Sequence, residues 1–309
     1  MQKVMVIDEL RHKYLLKVLL KVSDLKKSTY EYYKSQKHLI SCKRKEAEDN
    51  KIVNQIKEIF DKHKSRYGYR RVYLELKKTK KINHKKVQRI MRENNLKGIH
   101  PKVKYHSYKG DNGLSKKNLL LYSSFDGVKQ KEVLKRDFKA NRPNEKWTTD
   151  VSEFHIPAGK LYLSPILDMF DSSIISYNIS TSPNFNQVTD MLNSAFDKNK
   201  NLNGLIFHSD QGWQYQMKYY QQRLVGKGIK QSFSRKGNCM DNSLMENFFG
   251  IMKNEMFYGQ EYKYKTIDIL KDAMIEYIDY YNNKRINLKR KGLTPIEFRN
   301  QSLDKYNIN

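Results

Sequence analysis

Three acidic residues place the strongest constraint on what this chain folds into. Asp210 lies in Phe207-His208-Ser209-Asp210-Gln211-Gly212-Trp213. Glu246 follows it with 35 residues between, in Met240-Asp241-Asn242-Ser243-Leu244-Met245-Glu246-Asn247-Phe248-Phe249. Asp150 stands 60 positions before Asp210, in Lys146-Trp147-Thr148-Thr149-Asp150-Val151. Carboxylate oxygens are the hard ligands Mg²⁺ takes, and two such ions roughly 3.5–4 Å apart clamp the attacking and leaving oxygens of a phosphoryl transfer. Two separated aspartates and a glutamate at this interval suit that chemistry. Each has a plainer reading alone. Ser243-x-x-Glu246 fits a capping box, Asp150 reads equally as a turn carboxylate, and Asp168, Asp171 and Asp241 compete as acids. His208-Ser209-Asp210 imitates part of a hydrolase triad, but adjacent strand residues point to opposite faces. His208 is therefore expected behind the acids or as a substrate contact. The plainer readings must all hold at once to remove the joint pattern.

Charge names the partner class. The chain carries a net +27. Residues 1–140 hold 38 Lys/Arg against 15 Asp/Glu, whereas residues 141–309 hold 22 against 18. A segment so basic binds polyanions and releases counterions, so nucleic acid is the expected partner. Cys42 and Cys239 are too few and too far apart for a disulfide framework or a zinc site. No apolar run reaches the length of a membrane span and no signal-like segment opens the chain. A cytoplasmic, nucleoid-associated protein with no membrane partner is expected.

Patterning divides the chain. Glu9–Val22 reads as a helix, and Ser28 to about Lys37 as a second. Cys42–Asn50 reads as a charged linker. Residues 51–98 read as a helical module. Its first apolar stripe is Ile52, Val53, Ile56, Ile59 and Phe60, with a turn at Tyr67–Arg71 and a second helix carrying Val72, Leu74 and Leu76. Asn83 caps a third helix, with Lys85, Lys86, Arg89 and Arg92 on its solvent face. A helix, a turn and a basic helix suit helix-turn-helix docking on DNA; a solvated face on a structural bundle is the plainer reading. Residues 101–142 read as a basic linker with a turn at Ser123–Gly127 and a short helix at Val133–Phe138. From Trp147 the pattern becomes three strands, helix, strand, helix, strand, helix. The strands are Trp147–Ile156, Leu161–Phe170, Ser173–Ile179, Leu205–His208 and Ile229–Phe233. The helices are Gln187–Phe196, Tyr215–Val225 and Asn242 to about Phe257. If the first and fourth strands are neighbours, Asp150 and Asp210 face one another. Glu246 leans over from the last helix, and Lys253 follows two turns along the same face. A further amphipathic helix lies within residues 262–285, ahead of the basic tail Lys289-Arg290-Lys291.

These residues resemble a family. Trp147-Thr148-Thr149-Asp150, Gly159-Lys160-Leu161-Tyr162-Leu163, His208-Ser209-Asp210-Gln211-Gly212, Ser234–Asn242, Glu246-Asn247-Phe248-Phe249 and Tyr281-Asn282-Asn283-Lys284-Arg285 are similar to bacterial insertion-sequence transposases. In that group a second reading frame encodes the catalytic half, whose core is similar to retroviral integrases. The resemblance covers nearly the whole chain. It implies an α/β, RNase H-like core, a mixed five-stranded sheet with flanking helices, preceded by small all-α helix-turn-helix modules. It implies that Asp150, Asp210 and Glu246 form the metal triad for two Mg²⁺ (or Mn²⁺), with Lys253 matching the family's lysine. It implies action on terminal inverted repeats and target DNA, a homo-oligomeric active complex, and fusion to an upstream-frame product bearing a further helix-turn-helix and a zipper. This chain shows no long heptad run, and it carries Arg285-Ile286-Asn287 where relatives often have Arg-x-His.

The reading is a transposase that cuts DNA and joins strands by two-metal phosphoryl transfer. Arg235 and Asn242 join Lys253 as expected DNA contacts near the site. The expected domains are an N-terminal helical segment (1–42), a DNA-binding module (43–100), a basic linker (101–142), the catalytic core (143–258) and a C-terminal helical extension (259–309). The alternatives are a non-catalytic DNA-binding regulator of transposition and an RNase H-like nuclease.

Overall fold

The computed structural model describes residues 2–99, 117–126 and 131–307. The chain forms two compact units, residues 1–98 and 99–309. Most of the expected basic linker, residues 101–116, and Gly127 lie outside the described residues.

The first unit is all helical: α1 (Gln2–Leu10), α2 (Leu16–Val22), α3 (Lys27–Lys34), α4 (Gln36–Lys62), α5 (Tyr69–Lys77) and α6 (His84–Glu93). The single helix expected over 9–22 is broken after Leu10. α1 buries Val4 and Ile7 against Tyr30, and Leu16, Leu19 and Leu20 pack on the same cluster. A straight helix would carry the Val4/Ile7 face on to Arg11, Tyr14 and Val18 instead, so the chain turns to bring the leucines in. The expected linker at Cys42–Asn50 is also corrected, because the 27-residue α4 runs straight through it and across the 42/43 boundary. Its charges have partners. Asp49 lies 2.9 Å from Lys86 and 2.7 Å from Arg89 on α6, and Glu48 also approaches Lys86. Asn83 caps α6 as expected, its Oδ1 accepting from the Lys85 N–H at 2.8 Å.

His63, at the end of α4, is only 2% exposed and stacks on Tyr67 at 3.9 Å between ring centres. Burial lowers its pKa to about 4. Below the ordinary value near 6.5 the unfolded chain takes up a proton that the native imidazole refuses until about pH 4. Stability is therefore lost as pH falls through that window. Urea midpoints from far-ultraviolet circular dichroism should fall from pH 7 to pH 4.5, and fall less in His63→Phe; an equal fall in both would refute this account.

The second unit opens with an antiparallel ribbon, β1 (Leu121–Asp126) and β2 (Lys131–Arg136). This corrects the expected turn at 123–127 and the short helix at 133–138. Val133 and Leu134 find partners across the ribbon, opposite Ser124 and Ser123, rather than along a helix. The main sheet follows with β3 (Lys146–Thr149), β4 (Ser152–Ile156), β5 (Gly159–Asp168), β6 (Ile174–Ser180), β7 (Ile206–Ser209) and β8 (Lys230–Phe233). β6 borders one side of β5, while β3 and β4 border the other in succession. β3 runs parallel to β7, and β7 parallel to β8. The register of β3 and β4 on β5 passes through their gap without a shift, which sets Pro165 opposite Asp150. Proline has no N–H for the ladder, so pairing opens at Asp150 and Val151. Counted as one interrupted strand, β3–β4 is the expected first strand of a mixed five-stranded sheet.

Two apolar layers enclose the sheet. Trp147, Ile166 and Phe207 pack with α7 (Phe185–Lys198) and with the short α8 (Trp213–Gln216) and α9 (Lys218–Val225) through Val188, Met191, Tyr215 and Leu224. Phe154, Leu161 and Leu163 pack against α10 (Ser243–Met252) and α11 (Ile267–Asn283) through Phe248, Met252, Met274 and Tyr277. The expected last core helix ends earlier than 257, and Lys253–Phe257 forms a π turn. A final helix, α12 (Pro295–Asn307), was not anticipated, yet Thr294-Pro295-Ile296-Glu297 spells its start. The Glu297 N–H donates to Thr294 Oγ1 at 3.2 Å and the Thr294 N–H to Glu297 Oε2 at 2.8 Å, a capping box with proline at the first helical position.

Candidate active site

Two backbone strands fix the first pair of acids. In the parallel β3–β7 ladder Thr148 faces His208, so Asp150 and Asp210, each two residues further, leave the sheet at the same level. Tight packing below holds that level: Thr148 and Thr149 are fully buried. Glu246 comes from the first turn of α10. The cap of that helix falls on Asn242 and makes no side-chain cap bond, so the capping box considered for Ser243 is not what starts it.

All three acids line one cavity of about 730 Å³, together with Gln211, Gly212, Gln216 and the loop Ser234–Cys239. Among the described residues the three do not close into a ready ligand cluster. Their electrostatics are nevertheless those of crowded anions. Burial and the neighbouring Asp210 and Glu246 push the Asp150 carboxyl up to about 7, against the Val151 N–H and Lys253. Asp210 is more open to solvent, yet partial burial raises its pKa too, opposed by the Gly212 N–H, which donates at 2.9 Å. A Cβ at position 212 would come 2.7 Å from the Gln214 side-chain amide and 3.0 Å from the Asp210 carboxylate, so a larger residue there would displace the Gln214 side chain and crowd Asp210. Hard oxygen donors repelling one another across an open cavity fit divalent cations, whose charge relieves that repulsion.

The expected DNA contacts divide. Lys253 sits two turns beyond Glu246, its Nζ 4.9 Å from the centre of the Phe154 ring. Burial lowers its pKa, while Glu153 and Asp150 nearby raise it. Arg235 borders the cavity but grips Asp241 at 2.9 Å through both Nε and Nη2. Asn242 is buried and has both ends of its amide on β3: Oδ1 accepts from Thr148 Oγ1, and Nδ2 donates to the Thr149 carbonyl at 3.0 Å. It fastens α10 to the strand that carries Asp150. Asn242→Ala would leave both β3 groups unmet, costing about 1–3 kcal/mol; a melting temperature equal to wild type would contradict that role. On the first unit, Lys85 and Arg92 are exposed, whereas Lys86 and Arg89 are engaged with α4.

His208 is no DNA contact. It is fully buried, with Nδ1 2.9 Å from Ser232 Oγ and Nε2 3.0 Å from Ser234 Oγ, and burial brings its pKa down to about 4. It ties β7 to β8. Asp168 and Asp171 lie away from the cavity and receive Arg299 of α12 at 3.1 and 2.8 Å. Asp241, one of the competing acids, is a hub that sequence reasoning missed. It takes Arg235, Arg136 at 2.6 Å and Asn118 at 3.1 Å. Burial alone would raise its pKa, but the hydrogen bonds from Arg235 and Arg136 hold it well below the usual carboxylate range. Arg136 lies 105 residues from Asp241, and no local pattern signals such a partner.

Integrase core domain families match residues 140–239 and 246–303, and an HTH-like domain matches residues 47–104. The chain is 47% identical over 298 residues to transposase InsK of insertion sequence element IS150 from Escherichia coli, covering 96% of this chain and 98% of that protein. A transposase-like protein of Haemophilus influenzae is 50% identical, over 74% of this chain and 98% of its own. The transposase of element IS904 from Lactococcus lactis is 32% identical, over 83% and 94%. Among solved structures, the HTLV-2 integrase catalytic core domain aligns with 52% of this chain and 98% of its own at 19% identity and a TM-score of 0.41. The BIV integrase core aligns with 53% and 98% at 15% identity and a TM-score of 0.40. No helix of the described residues is long and apolar enough to cross a membrane. With nearly half its residues shared along almost the full length of a transposase, the chain belongs to the bacterial insertion-sequence transposases built on an integrase catalytic core.

Proposed function

We propose that Asp150, Asp210 and Glu246 are the catalytic residues with which this transposase cleaves and joins DNA. The observation that carries the reading is their placement. Two acids leave neighbouring parallel strands at one level, and a third faces the same cavity from α10. The three carboxylates would hold two Mg²⁺ (or Mn²⁺) ions, which when bound supply charge for the attacking and leaving oxygens of in-line phosphoryl transfer. Cleavage adds water across a phosphodiester, giving a 3′-hydroxyl and a 5′-phosphate. Strand transfer then exchanges one phosphodiester for another, the freed 3′-hydroxyl attacking target DNA as a target 3′-oxygen leaves.

The chain's own residues orient the DNA. Lys253, beside Asp150, is placed to hold a phosphate, and Arg235 and Lys236 border the same cavity. The unit at residues 1–98 is the DNA-binding part, with α5 and α6 as its helix-turn-helix and Lys85 and Arg92 its open cations. The substrate is the element's terminal inverted repeat and then target DNA, handled by an oligomer of this chain. The upstream-frame product, joined as a fusion, supplies further end recognition.

Metal dependence tests the reading. On labelled duplex carrying the element's own end, cleavage and joining should occur with Mg²⁺ or Mn²⁺ and fall to background in EDTA. Undiminished cleavage in EDTA would rule it out.

A further inference from the structure

The β1–β2 ribbon leaves large apolar side chains in solvent: Phe125 is 63% exposed, Leu134 56% and Tyr122 49%. Residues opposite one another in an antiparallel pair share a face. One face therefore carries Leu121, Phe125 and Leu134 with Ser123, Glu132 and Arg136, and the other Tyr122, Ser124, Val133 and Lys135. A two-stranded ribbon alone is marginal in water, so a ribbon with both faces open calls for a partner. Its root, by contrast, is firmly built. The Leu119 N–H donates to Ser232 Oγ at 2.9 Å, the Asp137 N–H donates to the Leu120 carbonyl at 2.7 Å, and Arg136 Nε donates to Asp241 at 2.6 Å. Asp241 is the carboxylate that also takes Arg235 from the cavity wall. One side chain thus stands between the ribbon and the cavity.

We propose that this ribbon is an arm that docks on duplex DNA beside the phosphate held in the cavity. The proposal rests on the reading of that cavity as the catalytic site. Charge selects the partner. The described residues 117–126 and 131–139 hold five Lys/Arg against three Asp/Glu, and Lys236 adds a cation at the cavity wall. A second copy of the ribbon would meet like charge, whereas the phosphate backbone meets opposite charge. The major groove admits a two-stranded ribbon, and apolar side chains on DNA-bound elements press between base steps in the minor groove. Phe125 and Leu134 present such side chains on one face. Because Arg136 and Arg235 share Asp241, DNA gripped by the ribbon is registered against the loop Ser234–Cys239.

The test uses the full chain carrying Phe125→Ser and Leu134→Ser together, with binding to labelled element-end duplex measured in EDTA so that no chemistry intervenes. Binding should weaken at least about tenfold, equivalent to roughly 1.4 kcal/mol. The melting temperature and the sedimentation mass of the free protein should stay at wild-type values. Unchanged affinity overturns the proposal. So does a reduced mass of the DNA-free variant, which would assign the ribbon to a second copy of the chain. Since the measurement needs neither metal nor triad, a failure of the catalytic assignment appears in the cleavage assay and not here.

Discussion

Glu246→Gln is expected to abolish both strand cleavage and strand transfer while leaving DNA binding intact. The substitution keeps the shape of the side chain and removes its charge, so the α10 packing and the cavity persist. What is lost is one of three anions that would balance the metal charge, a contribution of several kcal/mol to the transition state, or roughly 10³-fold or more in rate. Asp150→Asn and Asp210→Asn should fail as completely. Asp150→Asn carries a second signature. The folded pKa of Asp150 lies near 7, above that of a free carboxyl, through burial and the pressure of Asp210 and Glu246. Ionising it therefore costs stability above about pH 7, and that cost disappears as pH falls through 7 towards 4. In EDTA at pH 8 the inactive Asp150→Asn protein should melt at a higher temperature than wild type. A residue kept for stability would give the opposite result. Wild-type-like cleavage by Glu246→Gln would sink the assignment.

Arg285→Met is expected to have the largest effect on stability. Arg285 is 3% exposed and Glu255 8%. Arg285 Nε lies 3.1 and 2.9 Å from the two Glu255 oxygens, Nη2 lies 2.7 Å from Oε1, and Tyr277 donates its hydroxyl to Oε2 at 2.9 Å. Burial disfavours the guanidinium charge, but Glu255 more than compensates and raises the pKa of Arg285. Removing the arginine strands a carboxylate in the core between α11 and the turn after α10, at a cost of about 3–5 kcal/mol. Replacing Glu255 by Met as well removes both charges and should recover most of that loss. Urea unfolding of the two variants decides it, and a loss below about 1 kcal/mol in Arg285→Met would mean that water reaches the pair. Two residues on, Asn287 turns back on the chain, its Oδ1 accepting from the Lys289 N–H at 2.9 Å.

The parts of the fold that were legible in the sequence are those specified locally. β7 follows the short apolar run Leu205-Ile206-Phe207, α7 and α11 show helical apolar spacing, and Asn83 announces α6. The acids stood out by their spacing and the residues around them, although Asp150 reads as mid-strand within Trp147–Ile156, whereas β3 ends at Thr149 and leaves it in the gap before β4. What escaped notice depends on distant partners. Residues 42–50 look like a solvated linker because the charges that hold them in α4 are matched by Lys86 and Arg89 on α6. The β1–β2 ribbon hides behind serines whose partners become visible only once the strands pair. Asp241 and Asn242 are short polar residues like any in a loop, until Arg136 and β3 are brought to them. The start of α12 was different. Thr294-Pro295-Ile296-Glu297 is a local signal, and it was legible.

The way the acids are mounted separates two properties that usually travel together. The spacing of Asp150 and Asp210 belongs to the backbone, since it is set by the β3–β7 ladder and cannot drift without unzipping the sheet. Glu246 rides on another element, joined to that ladder chiefly by the amide of Asn242 and steadied at the start of its helix by Asp241. On the proposed assignment of these acids, catalytic competence is a more fragile state than foldedness. A protein whose α10 joint has slackened keeps its sheet, its helical first unit and two of its three acids.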